Sequence, residues 1–228
     1  MAYNSAPNSP TPNSLPKEKT FGNKLFARLR VAIESDVPHI YKLRQRLAAH
    51  HNIIHLLNST EASIASGLFN PKFNHVTALI VDVSPISFPP THDFEINILG
   101  TKEIDLKSPF IDEEMDEFKV DHNRDIFIAG YIMYYPCFSS FYEKSVFNFE
   151  NLYIRECYRG KKFGKWMFSA MAFEATRTGI SAINWYTSEW NKSAIEFYTN
   201  LGARVCDDFR MLTLTGKALE AFDDDSNI

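Results

Sequence analysis

The sequence lacks several features that would have settled its class at once. No run of 18 or more apolar residues occurs in its 228 positions, which excludes a membrane-spanning helix. Basic charge is not in excess. Lys+Arg 24 against Asp+Glu 28 leaves a net charge of -4, which excludes a chain whose main work is holding nucleic acid through its phosphates. The 9 glycines and 11 prolines are too few for a collagen-like or broadly low-complexity chain. The three cysteines, Cys137, Cys157 and Cys206, form no CxxC or CxxH pair. They read as thiols in a reducing compartment, so a cytoplasmic location is expected. The 7 histidines form no HExxH pattern, and no metal is expected. The first 20 residues have neither the apolar stretch of a secretory signal nor an arginine, which weighs against a transit peptide.

Aromatic residues are abundant, at 14% with 19 phenylalanines, and call for a large core, a deep apolar pocket, or both. Residues 1–24 hold four prolines among Ser, Asn and Thr and read as a disordered tail. A single domain is expected over 25–222, with a short tail at 223–228. Its first strand is ARLRVAI, ending at the cap residues Ser35-Asp36. Helices are predicted over 37–51 and 60–69, the second capped by Ser59 or Thr60, and a central strand over 76–83. Residues 84–124, with Pro85, Pro89, Pro90 and Pro109 and the acidic run DEEMDE, read as an excursion with one or two short edge strands. Strands follow at 125–136 and from Val146, then a helix from about Gly164 to Gly179. A strand at 181–189, a helix at 192–201 and a last strand at 203–214 complete the pattern. The whole reads as an α/β mixed sheet with helices on both faces.

The segment 149–164 runs strand, Arg159-Gly160-Lys161-Lys162-Phe163-Gly164, helix. A tight loop before a helix presents several N–H groups in one direction and favours a phosphate, and the three cations add charge. Taken alone, such a loop is more often a solvated turn. The following Ser188-Glu189-Trp190-Asn191 and Ile195-Glu196-Phe197-Tyr198, closed by Leu201-Gly202-Ala203, make the pattern specific. It resembles the acyl-CoA-binding core of the GNAT superfamily of N-acyltransferases, over about residues 28–222. Asp36-Val37-Pro38-His39-Ile40 and Leu214-Thr215-Gly216-Lys217-Ala218-Leu219 are similar to the plant diamine and ornithine acetyltransferases. His51-Asn52, His55-Leu56, Phe141-Tyr142-Glu143-Lys144 and Asp207-Asp208-Phe209-Arg210 are more similar to the tyramine hydroxycinnamoyltransferases.

The resemblance implies a GNAT fold whose central strands splay, with acyl-CoA as co-substrate in the wedge. Its pantetheine would pair with backbone at Leu152, Tyr153 and Ile154, and its diphosphate would rest on Arg159, Gly160, Lys161, Lys162, Phe163 and Gly164. Lys162 stands where the family pattern usually has glycine, which bears on the loop geometry. Asn191 would contact the CoA chain, and by position it is equally a helix cap. Glu150 would be the base and Tyr198 the acid, with an oxyanion donor in the backbone near Tyr153. Spacing alone would leave Glu150 a solvent-facing strand residue and Tyr198 a packing residue. A base is needed because a primary amine is neutral in only about one molecule per thousand at pH 7. Glu189 and Tyr142 are the expected substrate-binding residues, and the partner is a small primary amine. The aromatics Tyr134, Tyr135, Phe138, Phe141, Tyr142 and Phe147 supply either core or pocket lining. DEEMDE is either a solvated face or a field that steers cations. The acyl group is acetyl or hydroxycinnamoyl. The competing readings are a protein or peptide N-acetyltransferase and a non-catalytic CoA-binding module. Related enzymes are commonly dimers, and a homodimer through Phe209 to Leu214 is expected.

Overall fold

The computed structural model describes residues 20–70, 72, 76–89, 96–120, 124–140, 142–208 and 211–221. The expected tail at 1–24 falls largely outside them, and the C-terminal tail and Phe141 wholly so. The chain divides into two compact units, Met1–Tyr186 and Thr187–Ile228.

The first unit is built on a mixed sheet. Its strands are β2 (Lys24–Val31), β3 (Thr77–Ser84), β4 (Ile98–Asp105), β6 (Phe127–Ser139), β7 (Lys144–Ile154) and β8 (Ile183–Asn184), in the order β4-β2-β3-β6-β7-β8. All pairs are antiparallel except β7 with β8. A separate two-stranded ribbon joins β1 (Thr20–Phe21) to β5 (Phe110–Ile111). The apolar run of β3 is buried almost throughout, as expected of a central strand. Helices α1 (Val37–His50) and α2 (Glu61–Phe69) cover one face. There Ile40, Leu43, Ile64 and Leu68 pack with Ala78, Ile80, Tyr131, Met133 and Tyr153. Thr60 caps α2 by accepting from Ser63 N–H at 3.1 Å. Asp36 at the head of α1 does not cap; its carboxylate is drawn to Arg30 and to the Ile33 N–H. Residues 132 and 134 of β6 alternate to the opposite face, where the Tyr134 hydroxyl donates to Glu174 of α3 (Phe163–Arg177).

Three expectations change. The excursion carries an eight-residue strand, β4, that forms one edge of the main sheet against β2, and it buries Asp112 and Phe118. Proline clustering obscured this, because the residues of β4 contain none. The strand expected over 181–189 is only Ile183–Asn184, since its partner diverges beyond Asn148. The last strand does not form: among the described residues of 203–214 there is no strand, and Leu212 is 93% exposed. Apolar alternation is present there, but a strand without a paired edge has nothing to hold it. The second unit holds α4 (Lys192–Thr199), ended near Gly202 at φ +96°, and the short α5 (Lys217–Glu220).

Candidate active site

The site begins with a bulge. Tyr134 lies opposite Phe149 and Met133 opposite Asn151, so Glu150 is the extra residue of β7. A bulge re-aims side chains, and here it puts Glu150 and Asn151 in succession on the α1 face. A chain of polar groups results. Tyr131 Oη donates to Asn151 Oδ1 at 3.0 Å, Asn151 Nδ2 donates to the Glu150 carbonyl at 2.7 Å, and Tyr135 Oη donates to Glu150 Oε1 at 2.9 Å. Burial pushes the Tyr131 phenol well above its usual range, so it stays a donor at any physiological pH. Glu150 itself is exposed.

The bulge also shifts which backbone groups face outward. Before it, Phe147 N–H donates to Ala182 at 2.9 Å, toward β8. After it, Arg155 N–H donates to Ala129 at 2.9 Å, toward β6. Antiparallel alternation then turns Tyr153 and Asn151 to β6, and the amides of Leu152 and Ile154 to the edge that β8 has left. Of the three backbone positions expected to meet pantetheine, Leu152 and Ile154 face the open edge. The Tyr153 N–H does not, because it is spent on the sheet, so the open donor nearest to it is that of Leu152. Close approach of the strands matters here: a Cβ on Gly130 would stand 2.3 Å from the Tyr153 carbonyl.

The loop from β7 to α3 takes two left-handed residues, Gly160 at φ +76° and Lys162 at φ +64°. Lys162 thus takes the left-handed backbone that glycine adopts without strain. As the N-cap of α3 it makes no side-chain cap, and the first helical bond is Trp166 N–H to its carbonyl at 3.0 Å. The amides of Phe163, Gly164 and Lys165 therefore have no intrahelical acceptor and point out of the helix end. Two of the expected cations are used otherwise. Arg159 folds back to donate to the Ile154 carbonyl at 3.1 Å and pairs with Glu156. Lys161 donates to the Cys157 carbonyl at 2.6 Å and lies 4.2 Å over the Phe110 ring. Lys162 is exposed. Left-handed backbone costs a side-chain-bearing residue about 1–2 kcal/mol, while glycine adds unfolded-state entropy of about 0.5–1 kcal/mol. Lys162→Gly is expected to raise Tm by about 2 °C and Lys162→Val to lower it. A thermal melt showing the glycine variant less stable would contradict the strain account.

Cys157 is no nucleophile here. Burial and the Asp112 carboxylate push its thiol up to about 12, which leaves little thiolate at neutral pH. Beside it lies a cavity of about 480 Å³, lined among others by Arg46, His50, Glu113, Glu114, Tyr153 and Glu156. DEEMDE is thus neither wholly solvated nor a free field: Glu114 and Glu117 pair with Arg46 at 2.8 and 3.0 Å, and Asp112 is buried. Tyr134 and Phe147 are core residues, Tyr135 is bound to Glu150, and Phe138 and Tyr142 are exposed at the β6–β7 hairpin. Tyr142 stands beyond the start of β7, and that start is itself roughly 20 Å along the strand from Glu150 at about 3.3 Å per residue. Among the described residues no group of three His, Cys, Asp or Glu is placed to hold a metal ion, and no helix is long and apolar enough to cross a membrane.

In the second unit Asn191 is the N-cap of α4; its Oδ1 accepts from Ala194 N–H at 3.2 Å and from Ser193 Oγ at 3.1 Å. Tyr198 is buried beside Phe197, and burial raises its phenol well above the usual range. Glu189 is exposed.

Comparison with known proteins gives one answer. Residues 86–203 match the acetyltransferase (GNAT) family. The chain is 37% identical over 220 residues to L-ornithine N5-acetyltransferase of Arabidopsis thaliana, covering 94% of this chain and 96% of that one. It is 37% identical over 216 residues to tyramine N-feruloyltransferase 4/11 of Nicotiana tabacum, covering 91% and 96%. Among solved structures, an integron cassette protein from the V. cholerae mobile metagenome superposes with a TM-score of 0.55 at 13% identity, covering 86% and 97%. An aminoglycoside acetyltransferase from an uncultured soil metagenomic sample superposes at 0.54 and 13%, covering 84% and 97%. The splayed sheet, the loop leading into α3 and this similarity over nearly the whole chain make it a member of the GNAT acetyltransferase family.

Proposed function

We propose that the protein transfers an acyl group from acyl-CoA to the primary amine of a small molecule, such as a diamine, polyamine, ornithine or tyramine. The observation that carries this reading is the bulged Glu150, on a strand whose open edge leads to an uncapped helix end. In the proposed reaction acyl-CoA lies along the Leu152 and Ile154 amides, with its diphosphate on the N–H groups of Phe163, Gly164 and Lys165 at the head of α3 and Asn191 beside its chain. The amine nitrogen attacks the thioester carbonyl. Glu150 takes the amine proton, directly or through water, and the Leu152 N–H holds the developing oxyanion. Attack forms the C–N bond and a tetrahedral intermediate; when this collapses the C–S bond breaks, and Tyr198 gives its proton to the departing thiolate. Its raised pKa keeps that proton in place at neutral pH. Glu189, an exposed carboxylate, suits a cationic acceptor.

The relatives named above split over the donor, one an acetyltransferase and the other a feruloyltransferase. A panel of acetyl-CoA and feruloyl-CoA against putrescine, ornithine, tyramine and spermidine decides between them. Turnover is expected for at least one pair, and none for peptides; no turnover with any pair would sink the reading. A homodimer belongs to the same proposal, supported by the exposed Val205, Met211, Leu212 and Leu214. Light scattering on the assayed protein should read twice the chain mass, and a monomer would refute it. A cytoplasmic site suits three unpaired cysteines, and a fluorescent fusion seen elsewhere would count against it.

A further inference from the structure

The proposed reaction gives residues 96–120 no part in holding acyl-CoA, yet this stretch meets the β7–α3 loop at three successive points. Asp112 is 1% exposed and accepts from two donors of the loop, Arg155 Nη2 and Tyr158 Oη, the latter at 2.7 Å. Arg155 is fixed further, by Nη1 donating to the Ile128 carbonyl at 3.0 Å and by the Phe118 ring 4.2 Å from its guanidinium carbon. Tyr158 is fully buried with its ring edge-on to Phe110 and Phe21, at 5.4 and 5.9 Å between centroids. Those two rings stack on each other at 5.0 Å across the β1–β5 ribbon. Lys161 completes the set by lying over Phe110.

We propose that Asp112 is a positioning residue for acyl-CoA: acting through Arg155 and Tyr158, it holds the β7–α3 loop in the shape that receives the diphosphate. The proposal rests on the reading of that loop as the acyl-CoA site. The physical case is one of constraint. One carboxylate that binds residues 155 and 158 together fixes the end of β7 relative to the loop, and so relates the Leu152 and Ile154 amides to those at the head of α3. The loop also contains a left-handed lysine, a backbone state that persists only where its surroundings over-determine it. Asp112, Phe110 and Phe118 supply those surroundings from outside the loop, and Arg155 and Tyr158 answer them from within it.

Two variants test this against a control. Tyr158→Phe keeps the ring and removes one hydrogen bond to Asp112; Asp112→Asn removes the charge opposite Arg155. The control, Ile64→Val, trims the buried face of α2 and lowers stability without touching the loop. Calorimetric titration with CoA gives Kd, and steady-state kinetics give KM for each substrate. Tyr158→Phe is expected to raise Kd for CoA and KM for acyl-CoA about tenfold, the scale of one hydrogen bond to a charged group. Asp112→Asn should raise them further, while kcat at saturation and KM for the amine stay within about twofold in both. Ile64→Val should leave Kd unchanged although its Tm falls. Unchanged Kd in both loop variants, or an equal rise in the control, would overturn the proposal while leaving the site reading intact. Wild-type protein that binds no CoA would overturn the site reading, and the proposal with it.

Discussion

Glu150→Gln will lower kcat at pH 7 by about a hundredfold, the lower end of the range for loss of a general base. It will leave Tm and the affinity for CoA unchanged. Glutamine keeps the Oε1 that accepts from Tyr135, so the bulge and its polar chain have no reason to rearrange. What is lost is a carboxylate able to take a proton from an ammonium. Without it the reaction must wait for amine that has already lost its proton, about one molecule per thousand at neutral pH. The rate of the variant should therefore climb with pH toward the pKa of the amine, and its profile should lie above the wild-type profile on the pH axis. Tyr198→Phe is the partner measurement. Its phenol, held protonated by burial, donates late, so its removal lowers kcat tenfold or more with no upward move of the acidic limb. An unaltered pH profile in Glu150→Gln would remove it as the base, and unchanged turnover in Tyr198→Phe would remove that residue as the acid.

Why the sequence pointed to Glu150 through its resemblance but not to its setting is a matter of range. Local signals were legible: the apolar run of β3, the Thr60 cap of α2, Gly179 beyond α3, and the loop of residues 159–164 all depend on residues within a few positions of each other. The bulge is not local. It exists because β7 carries one residue more than β6 between two pairs, and neither strand shows that count by itself. The Asp112–Arg155 pair joins residues 43 positions apart, so an acidic run that looked solvated hid a buried member. Its only sequence signal was an apolar neighbour on each side of the run, Ile111 and Phe118. Lys162 shows the reverse case. A residue type that rarely takes the left-handed backbone takes it here, which conformation reveals and residue type does not. The alternation over 203–214 was real as a pattern but formed no strand among the described residues, because pairing belongs to two edges rather than one.

Asp82→Ala will be the most destabilising single change in the first unit, at about 3–5 kcal/mol. Asp82 lies on the α1 face of β3, fully buried, between two arginines of the neighbouring β2. Arg28 donates to it through Nη2 at 2.6 Å, and Arg30 through Nε at 2.7 Å and Nη2 at 3.0 Å. Arg30 then bridges to Asp36, with Nη1 at 2.6 Å and Nη2 at 2.8 Å, and Asp36 accepts from the Ile33 N–H at 2.8 Å. Burial alone opposes the charge on Arg30, and the Asp82 and Asp36 carboxylates more than offset it, raising its pKa further. An arginine keeps its charge in a protein, so loss of Asp82 leaves the buried Arg28 guanidinium without its carboxylate and Arg30 with Asp36 alone. With about 2–4 °C per kcal/mol for a chain of this size, Tm should fall by about 10 °C or more. Should that variant fail to fold, Asp82→Asn keeps one oxygen to accept from Arg28 and Arg30 while losing the charge and the second acceptor, and a smaller fall is expected. The double variant Arg28→Met, Asp82→Asn should then lose less than the sum of its two single changes, because each single change strands the other partner. Strict additivity in that cycle would show that these charges do not stabilise one another, and that β2 and β3 are held together by their backbone ladder and apolar packing alone.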